Sequence, residues 1–229
     1  MNTDIRKQYN NFAIDFSNNH NLGDNSNNQN RTEFYKYINE VDMVKHNNLL
    51  DLACGDGYDA NNYKQKGFSV SAIDASEELI KIAKEKYKGI NFKVGLAENL
   101  PYENNSFDII VSKYAIMTSS DMNPIFNEVD RVLKTGGYFI YLMTHPFRQY
   151  FEKRNNKADY FNKEIVISNI LNNSVTLHEP SHTFNEYFNK DFLLKFNLID
   201  FKEFFDPAAE QVDGRTYPGY FICVYKKRQ

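Results

Sequence analysis

Two glycines, Gly55 and Gly57, close an apolar run, Leu49-Leu50-Asp51-Leu52-Ala53-Cys54. A glycine turn after a strand lets backbone N–H groups approach a ligand, because no Cβ stands between them. Asp74 follows one strand–helix–strand step later, in Ile73-Asp74-Ala75-Ser76. A carboxylate there can accept both hydroxyls of a ribose. The two features together point to a nucleotide-like ligand. A dinucleotide fingerprint wants three glycines, whereas Gly55-Asp56-Gly57-Tyr58-Asp59-Ala60 has two, with an acid between them. Asp56 would repel a pyrophosphate, which disfavours NAD and FAD, and would favour a ligand bearing an ammonium group.

Groups able to move a proton near neutrality are few. His145 ends an apolar run, and His178 and His182 follow in a segment rich in aromatics. Imidazole titrates in the useful range, and the position of His145 at the carboxyl end of a strand makes it the first candidate base. In the same segment Glu179 and Glu186 offer charge for a cationic acceptor, and Tyr150, Phe151, Tyr160, Phe161, Phe184 and Tyr187 offer aromatic surface. These aromatics serve equally as the core of that segment. The two cysteines, Cys54 and Cys223, imply no disulfide framework, and no Cys/His spacing suggests a metal.

Positioning such groups takes an ordered scaffold, and the apolar pattern supplies one. Strands are predicted over 48–53, 69–74, 91–95, 107–113 and 137–143, with helices over 59–66, 76–86 and 123–133. Alternation of this kind means parallel strands joined by right-handed helical crossovers. Residues 198–205 and 219–225 read as a last, antiparallel pair, preceded by a helix over 185–196. Between the two parts, 164–168 and 174–178 read as a hairpin across Asn172-Asn173, within an inserted cap. Ahead of the first strand, Ile5, Tyr9, Phe12, Ala13 and Phe16 have helical spacing, as do Phe34, Tyr35, Ile38, Val41 and Val44. Asn18 to Asn30, nearly all Asn, Ser, Gly, Asp and Gln, reads as a mobile loop between these helices.

Leu-Asp-Leu-Ala-Cys-Gly-Asp-Gly, Ile-Asp-Ala-Ser, Ala-Glu-Asn-Leu-Pro-Tyr, Ser-Phe-Asp-Ile-Ile-Val-Ser and Val-Leu-Lys-Thr-Gly-Gly, in that order, resemble class I S-adenosylmethionine-dependent methyltransferases. The likeness is greatest to the small-molecule branch that includes the ubiquinone and menaquinone biosynthesis enzymes, and it covers about residues 48 to 143. The resemblance implies that Asp51, Ala53, Gly55 and Gly57 approach the methionine part of S-adenosyl-L-methionine. It implies that Asp74 holds the ribose, with Ala75 and Ser76 beside the adenine. Ala97 and Glu98 correspond to the next adenine loop, where Leu96 stands in place of the Asp that members often carry. Ser112, Lys113 and Tyr114 would border the methyl-transfer site, with Tyr114 and His145 as the catalytic candidates. Tyr9 and Arg31 fall where related enzymes cover the cofactor and pair with its carboxylate.

The expected fold is therefore α/β: a Rossmann-like, seven-stranded, mostly parallel sheet with an antiparallel last strand. Residues 1–47 form an N-terminal helical lid, 48–144 and 184–229 the core, and 145–183 the inserted cap. With 27 basic and 30 acidic residues in 229, the net charge of −3 offers no strong field for a polyanion. A small-molecule acceptor, no nucleic acid, no membrane, no metal, a monomer or homodimer and a cytoplasmic setting follow as expectations. The absence of Asn/Asp-Pro-Pro-Tyr after the fourth strand, where Ser112-Lys113-Tyr114-Ala115 stands, argues against DNA or protein glutamine as acceptor. Action on tRNA or protein, and a cofactor-binding module without transfer, are the alternatives.

Overall fold

The computed structural model describes all residues except 1–3, 20–24, 42–44, 154–158, 172–173, 208–210 and 212–213. Its centre is a seven-stranded sheet of β1 (Asn48–Leu52), β2 (Ser69–Asp74), β3 (Asn91–Val94), β4 (Phe107–Lys113), β5 (Leu133–Thr144), β8 (Phe196–Phe204) and β9 (Tyr220–Lys227), in the order β3-β2-β1-β4-β5-β9-β8. The first five strands pair in parallel, and only β9 runs against its neighbours. The chain builds outward from β1 to β3 and then returns to add β4 on the other side. The strand order reverses between β1 and β4, which is where sheets of this type bind ligands, outside the carboxyl ends of the strands.

Both faces of the central strands are covered, which is why these strands are continuously apolar rather than alternating. Leu50, Ile110, Phe139, Tyr141, Phe221 and Tyr225 point to one face, where α6 (Asn123–Val132) and α9 (Lys190–Lys195) supply Phe126, Val129 and Phe192. Leu49, Ile109, Val111, Ile140, Leu142 and Ile222 point to the other. There α3 (Asn25–Asn39), α4 (Tyr58–Gln65) and α5 (Glu77–Lys86) bring Phe34, Ile38, Tyr63 and Ile80. Ser76 starts α5 by accepting from the Leu79 N–H, with Glu77 and Glu78 in the first turn and Lys84 and Lys86 in the last, each matched to the helix dipole.

Several boundaries differ from the sequence reading. The first helix breaks at Phe12 into α1 (Ile5–Asn11) and α2 (Ala13–Asn19). The segment expected as a mobile loop is helical from Asn25 onward; its residues 20–24 lie outside the described residues. Asparagines are weak helix formers, and tertiary contacts override that preference here: Asn30 is 2% exposed and bonded to Tyr114. The helix expected over 185–196 is two pieces, α8 (Phe184–Tyr187) and α9, because Asn189 caps a new start by accepting from Phe192 N–H. The hairpin forms as β6 (Ile165–Ile170) and β7 (Val175–Pro180), a separate two-stranded sheet; Asn172 and Asn173 lie outside the described residues. No helix among the described residues is long and apolar enough to cross a membrane.

Candidate active site

β1 ends in a turn that needs left-handed backbone at Ala53 (φ 61°), Gly55 (φ 57°) and Gly57 (φ 82°). Cys54 N–H continues the ladder to Ile73 carbonyl (3.0 Å), so the turn leaves the sheet beside the tip of β2. There Asp74 receives Gly55 N–H on Oδ2 (2.8 Å) and Ser76 N–H on Oδ1 (2.9 Å). Burial raises the Asp74 carboxyl above the usual range, and the N–H groups of Ser76, Gly55 and Ala75 oppose that rise. A carboxylate has about four lone-pair sites, so these two bonds leave capacity for a ligand's hydroxyls.

The two glycines do different things. A Cβ on Gly55 would come 3.3 Å from the Phe16 ring, on the side of the N-terminal helices. A Cβ on Gly57 would meet the Phe92 ring at 2.7 Å and Ala83 Cβ at 3.0 Å, so Gly57 packs the turn against β3 and α5. It does not line the cavity. Asp56 also differs from the sequence expectation of a carboxylate waiting for an ammonium group. It is buried, and its Oδ2 takes Ser17 Oγ–H (2.6 Å) and Lys86 Nζ (3.1 Å), which ties α2 to the turn.

A cavity of about 970 Å³ opens at the carboxyl ends of β1, β2, β4 and β5, at the upper end of the size range of small-molecule sites. Asp74, Ala75 and Ser76 form part of its wall, with Leu96, Ala97 and Glu98 facing them from the loop after β3. Leu96 is 50% exposed there and offers apolar surface where a hydrogen-bonding side chain was sought. Ala53 and Arg31 line the same cavity. A smaller space of about 70 Å³ adjoins the turn, bounded by Asp51, Ala53, Gly55, Asp59 and Lys113.

Beside it lies a charge cluster that sequence reading missed. Asp59 accepts from Arg31 Nε (3.1 Å), Lys113 Nζ (2.7 Å) and the Tyr35 hydroxyl. Burial alone would raise the Asp59 carboxyl, but Lys113 and Arg31 outweigh it and hold it well below the usual range. For Asp51 the balance goes the other way. Burial, with Asp59 and Asp74 nearby, pushes its carboxyl well up against the pull of Lys113, and its Oδ2 has no partner among the described residues. The position of Asp59 on the first turn of α4, two residues past Gly57, was the available signal.

At the end of β4, Tyr114 (φ 53°) turns its ring toward Tyr220, and its hydroxyl accepts from Asn30 Nδ2 (3.1 Å). Burial, then Asp206, raises the phenol well above its ordinary value. Thr144, Arg148, Glu152 and Asp206 continue this wall, with Arg148 Nη1 on Asp206 and Arg148 Nε on Glu152 (2.9 Å). None of the last three was singled out from sequence, because their proximity depends on the turn of chain after β5 meeting the segment after β8. Gly219 permits that meeting: a Cβ there would lie 2.4 Å from Asp206 Cβ.

His145 and Ser112 stand apart from the cavity. His145 is fully buried; its Nε2 faces Glu203 Oε1 (2.7 Å), its Nδ1 accepts Phe147 N–H, and its ring packs on Phe147, Phe184 and Phe221. Burial lowers its pKa despite Glu203. The expectation that it faces the site is corrected: β5 ends one residue earlier, and the imidazole caps the short turn α7 (Pro146–Arg148). Ser112 is buried inside the sheet with its hydroxyl unpartnered among the described residues. His182 bonds Met117 carbonyl (2.8 Å) and Glu186 (3.2 Å), and neither it nor His178 lines the cavity.

The N-terminal helix roofs the site. Gln8 Nε2 donates to His178 carbonyl (3.0 Å), and His178 N–H donates back to Gln8 Oε1 (2.8 Å), joining α1 to β7. Ser76 Oγ donates to Asn10 Oδ1 (2.6 Å), joining α1 to the Asp74 loop. Tyr9, between them, lines the cavity; burial raises its phenol, with Glu179 and Asp74 adding to the shift.

Residues 50–141 match the family model described as a methyltransferase domain. An uncharacterised methyltransferase of Bacillus subtilis is 31% identical over 139 residues, which are 58% of this chain and 49% of that protein. The demethylmenaquinone methyltransferase of Lactococcus lactis is 35% identical over 117 residues, 45% of this chain and 46% of that one. The chain thus spans about half the length of the curated relatives it matches. Among solved structures, an S-adenosylmethionine-dependent methyltransferase from Clostridium acetobutylicum superposes with a TM-score of 0.65 at 17% identity, covering 96% of this chain and 99% of that one. Another, from Mesorhizobium loti, gives 0.64 at 21%, covering 82% and 94%. These structures share the fold, and the matched segment carries the motifs. Residues 50–141 are therefore similar to a methyltransferase domain, on a fold shared with S-adenosylmethionine-dependent methyltransferases of known structure.

Proposed function

We propose that this protein transfers a methyl group from S-adenosylmethionine to a small-molecule acceptor by in-line displacement. The observation that carries the reading is the Asp74 carboxylate, clamped by Gly55 and Ser76 N–H groups on the wall of a cavity of about 970 Å³. The residues present fit the cofactor. Asp74 would take the ribose hydroxyls, while Ala75, Leu96, Ala97 and Glu98 would border the adenine. The Oδ2 of Asp51, without a partner among the described residues, suits the methionyl ammonium, and Arg31 and Lys113, which line the cavity and also pair with Asp59, would reach the carboxylate with the donors that Asp59 leaves.

When bound, the cofactor supplies a methyl group already activated by a sulfonium. The protein's part is then alignment and exclusion of water. Tyr9 and α1 would close the cofactor from one side and the hairpin β6–β7 the acceptor from the other, in keeping with residues 1–47 as a lid and 145–183 as a cap over a core of 48–144 and 184–229. Tyr114, whose hydroxyl accepts from Asn30 and keeps its own proton, would steer the acceptor by donating a hydrogen bond. The roof over the cavity supports a small acceptor over a macromolecule. Calorimetry with S-adenosylhomocysteine tests the reading: micromolar binding is expected, and no binding overturns it.

A further inference from the structure

The cavity end beyond Tyr114 holds a guanidinium whose charge is matched but whose donors are not all used. Arg148 lines that end, donating through Nε to Glu152 (2.9 Å) and through Nη1 to Asp206. Both carboxylates have further contacts, the Tyr217 hydroxyl on Glu152 Oε1 among them, so none at this end stands free for an ammonium. The planar fork has one nitrogen more. Nη2 has no acceptor among the described residues, and the Arg148 side chain keeps 18% of its surface open on the cavity wall. Tyr114 stands beside it. Burial and Asp206 raise the Tyr114 phenol while Arg148 pulls against them, which places the hydroxyl in the field of the guanidinium. That hydroxyl accepts from Asn30 Nδ2 (3.1 Å) and so has its own hydrogen to donate. Asn30, on the same wall, has no partner for Oδ1 among the described residues.

We infer that Arg148 is a specificity-determining residue, which holds the methyl acceptor by a neutral carbonyl oxygen through Nη2, with the Tyr114 hydroxyl as second donor. This rests on the methyl-transfer reading above and names the group by which the acceptor is recognised. An anionic oxygen would gain little, because Glu152 and Asp206 already meet the guanidinium charge and would repel a further carboxylate. A carbonyl oxygen has lone pairs for both donors and adds no charge to a network that is already matched. In a carboxamide, the N–H beside that carbonyl would complement Asn30 Oδ1, and a buried acceptor left unmade is costly. Selection at this end is therefore for a neutral polar group over either ion.

The test compares three probes of one shape, 3-phenylpropanamide, 3-phenylpropanoate and 3-phenylpropan-1-amine, binding to protein saturated with S-adenosylhomocysteine. The amide is expected to bind at least about tenfold more tightly than either ion, the size of one charge-assisted hydrogen bond. Arg148→Lys keeps a cation for Glu152 and Asp206 but loses the spare nitrogen of the fork. It should cut the preference to about threefold or less, with S-adenosylhomocysteine affinity unchanged. Tyr114→Phe leaves those ion pairs in place and should weaken the amide about fivefold, with the two ions little affected. Equal or tighter binding of either ion, no binding of any probe, a preference that survives Arg148→Lys, or an amide affinity untouched by Tyr114→Phe overturns the inference while leaving the cofactor reading intact. Loss of S-adenosylhomocysteine affinity in Arg148→Lys overturns it too, by assigning Arg148 to the cofactor. Failure of S-adenosylhomocysteine to bind the unaltered protein overturns the cofactor reading itself.

Discussion

Gly55 N–H donates to Asp74 Oδ2 across 2.8 Å, so two motif residues 19 positions apart form one piece of the cavity wall. The bond aims the carboxylate and holds the glycine turn at once. Asp74→Ala removes both a ribose acceptor and this brace. With hydrogen bonds to a charged group worth about 1.5–3 kcal/mol each, S-adenosylhomocysteine affinity should fall by roughly a hundredfold or more. Calorimetry reads it, and a loss under fivefold would contradict the assigned role.

Gly57→Ala is predicted to act on stability instead of ligand contact. The new methyl would sit in left-handed backbone, 2.7 Å from the Phe92 ring and 3.0 Å from Ala83. Strain and overpacking together predict a loss of about 2–4 kcal/mol. Gly55→Ala meets only the Phe16 ring at 3.3 Å and should cost about 1 kcal/mol. Denaturant melts of both variants check the order, which reverses if Gly57 is the ligand-facing glycine.

Gln8→Ala breaks both bonds between α1 and β7. At about 1 kcal/mol each, the roof should open roughly thirtyfold more often. S-adenosylhomocysteine should dissociate faster in stopped flow, with its association rate little changed. An unaltered dissociation rate would show that α1 does not control exit.

Glu186 predicts an acid limb of stability. Its carboxyl is held down to about 2: burial would raise it, but bonds from His182, Lys163 and the Thr183 N–H outweigh that. A depressed carboxyl contributes stability that is complete above the unfolded value of about 4.3 and is lost as pH falls toward 2. Glu186→Gln should therefore lower the melting temperature at pH 7 and flatten its decline between about pH 4.5 and 2. Parallel wild-type and variant curves would refute this.

Much of this protein was legible in its residues. The seven strands, their order of appearance and the turn from Leu49 to Gly57 follow from apolar runs punctuated by glycine, because a buried parallel strand must be apolar on both faces. Asp74 was legible for the same local reason: it ends a strand one βα unit after the turn. Tertiary structure decided what distant segments do to one another. It turned Asp56 onto Ser17 and Lys86, assigned Gly57 to packing, and buried His145 against Glu203. It also brought Asn30 to Tyr114 and Arg148 to Asp206, across 84 and 58 residues. A side chain's role depends on which way the last turn of its element points it, and on neighbours far along the chain. Periodicity fixes where an element lies but not what its end residues meet.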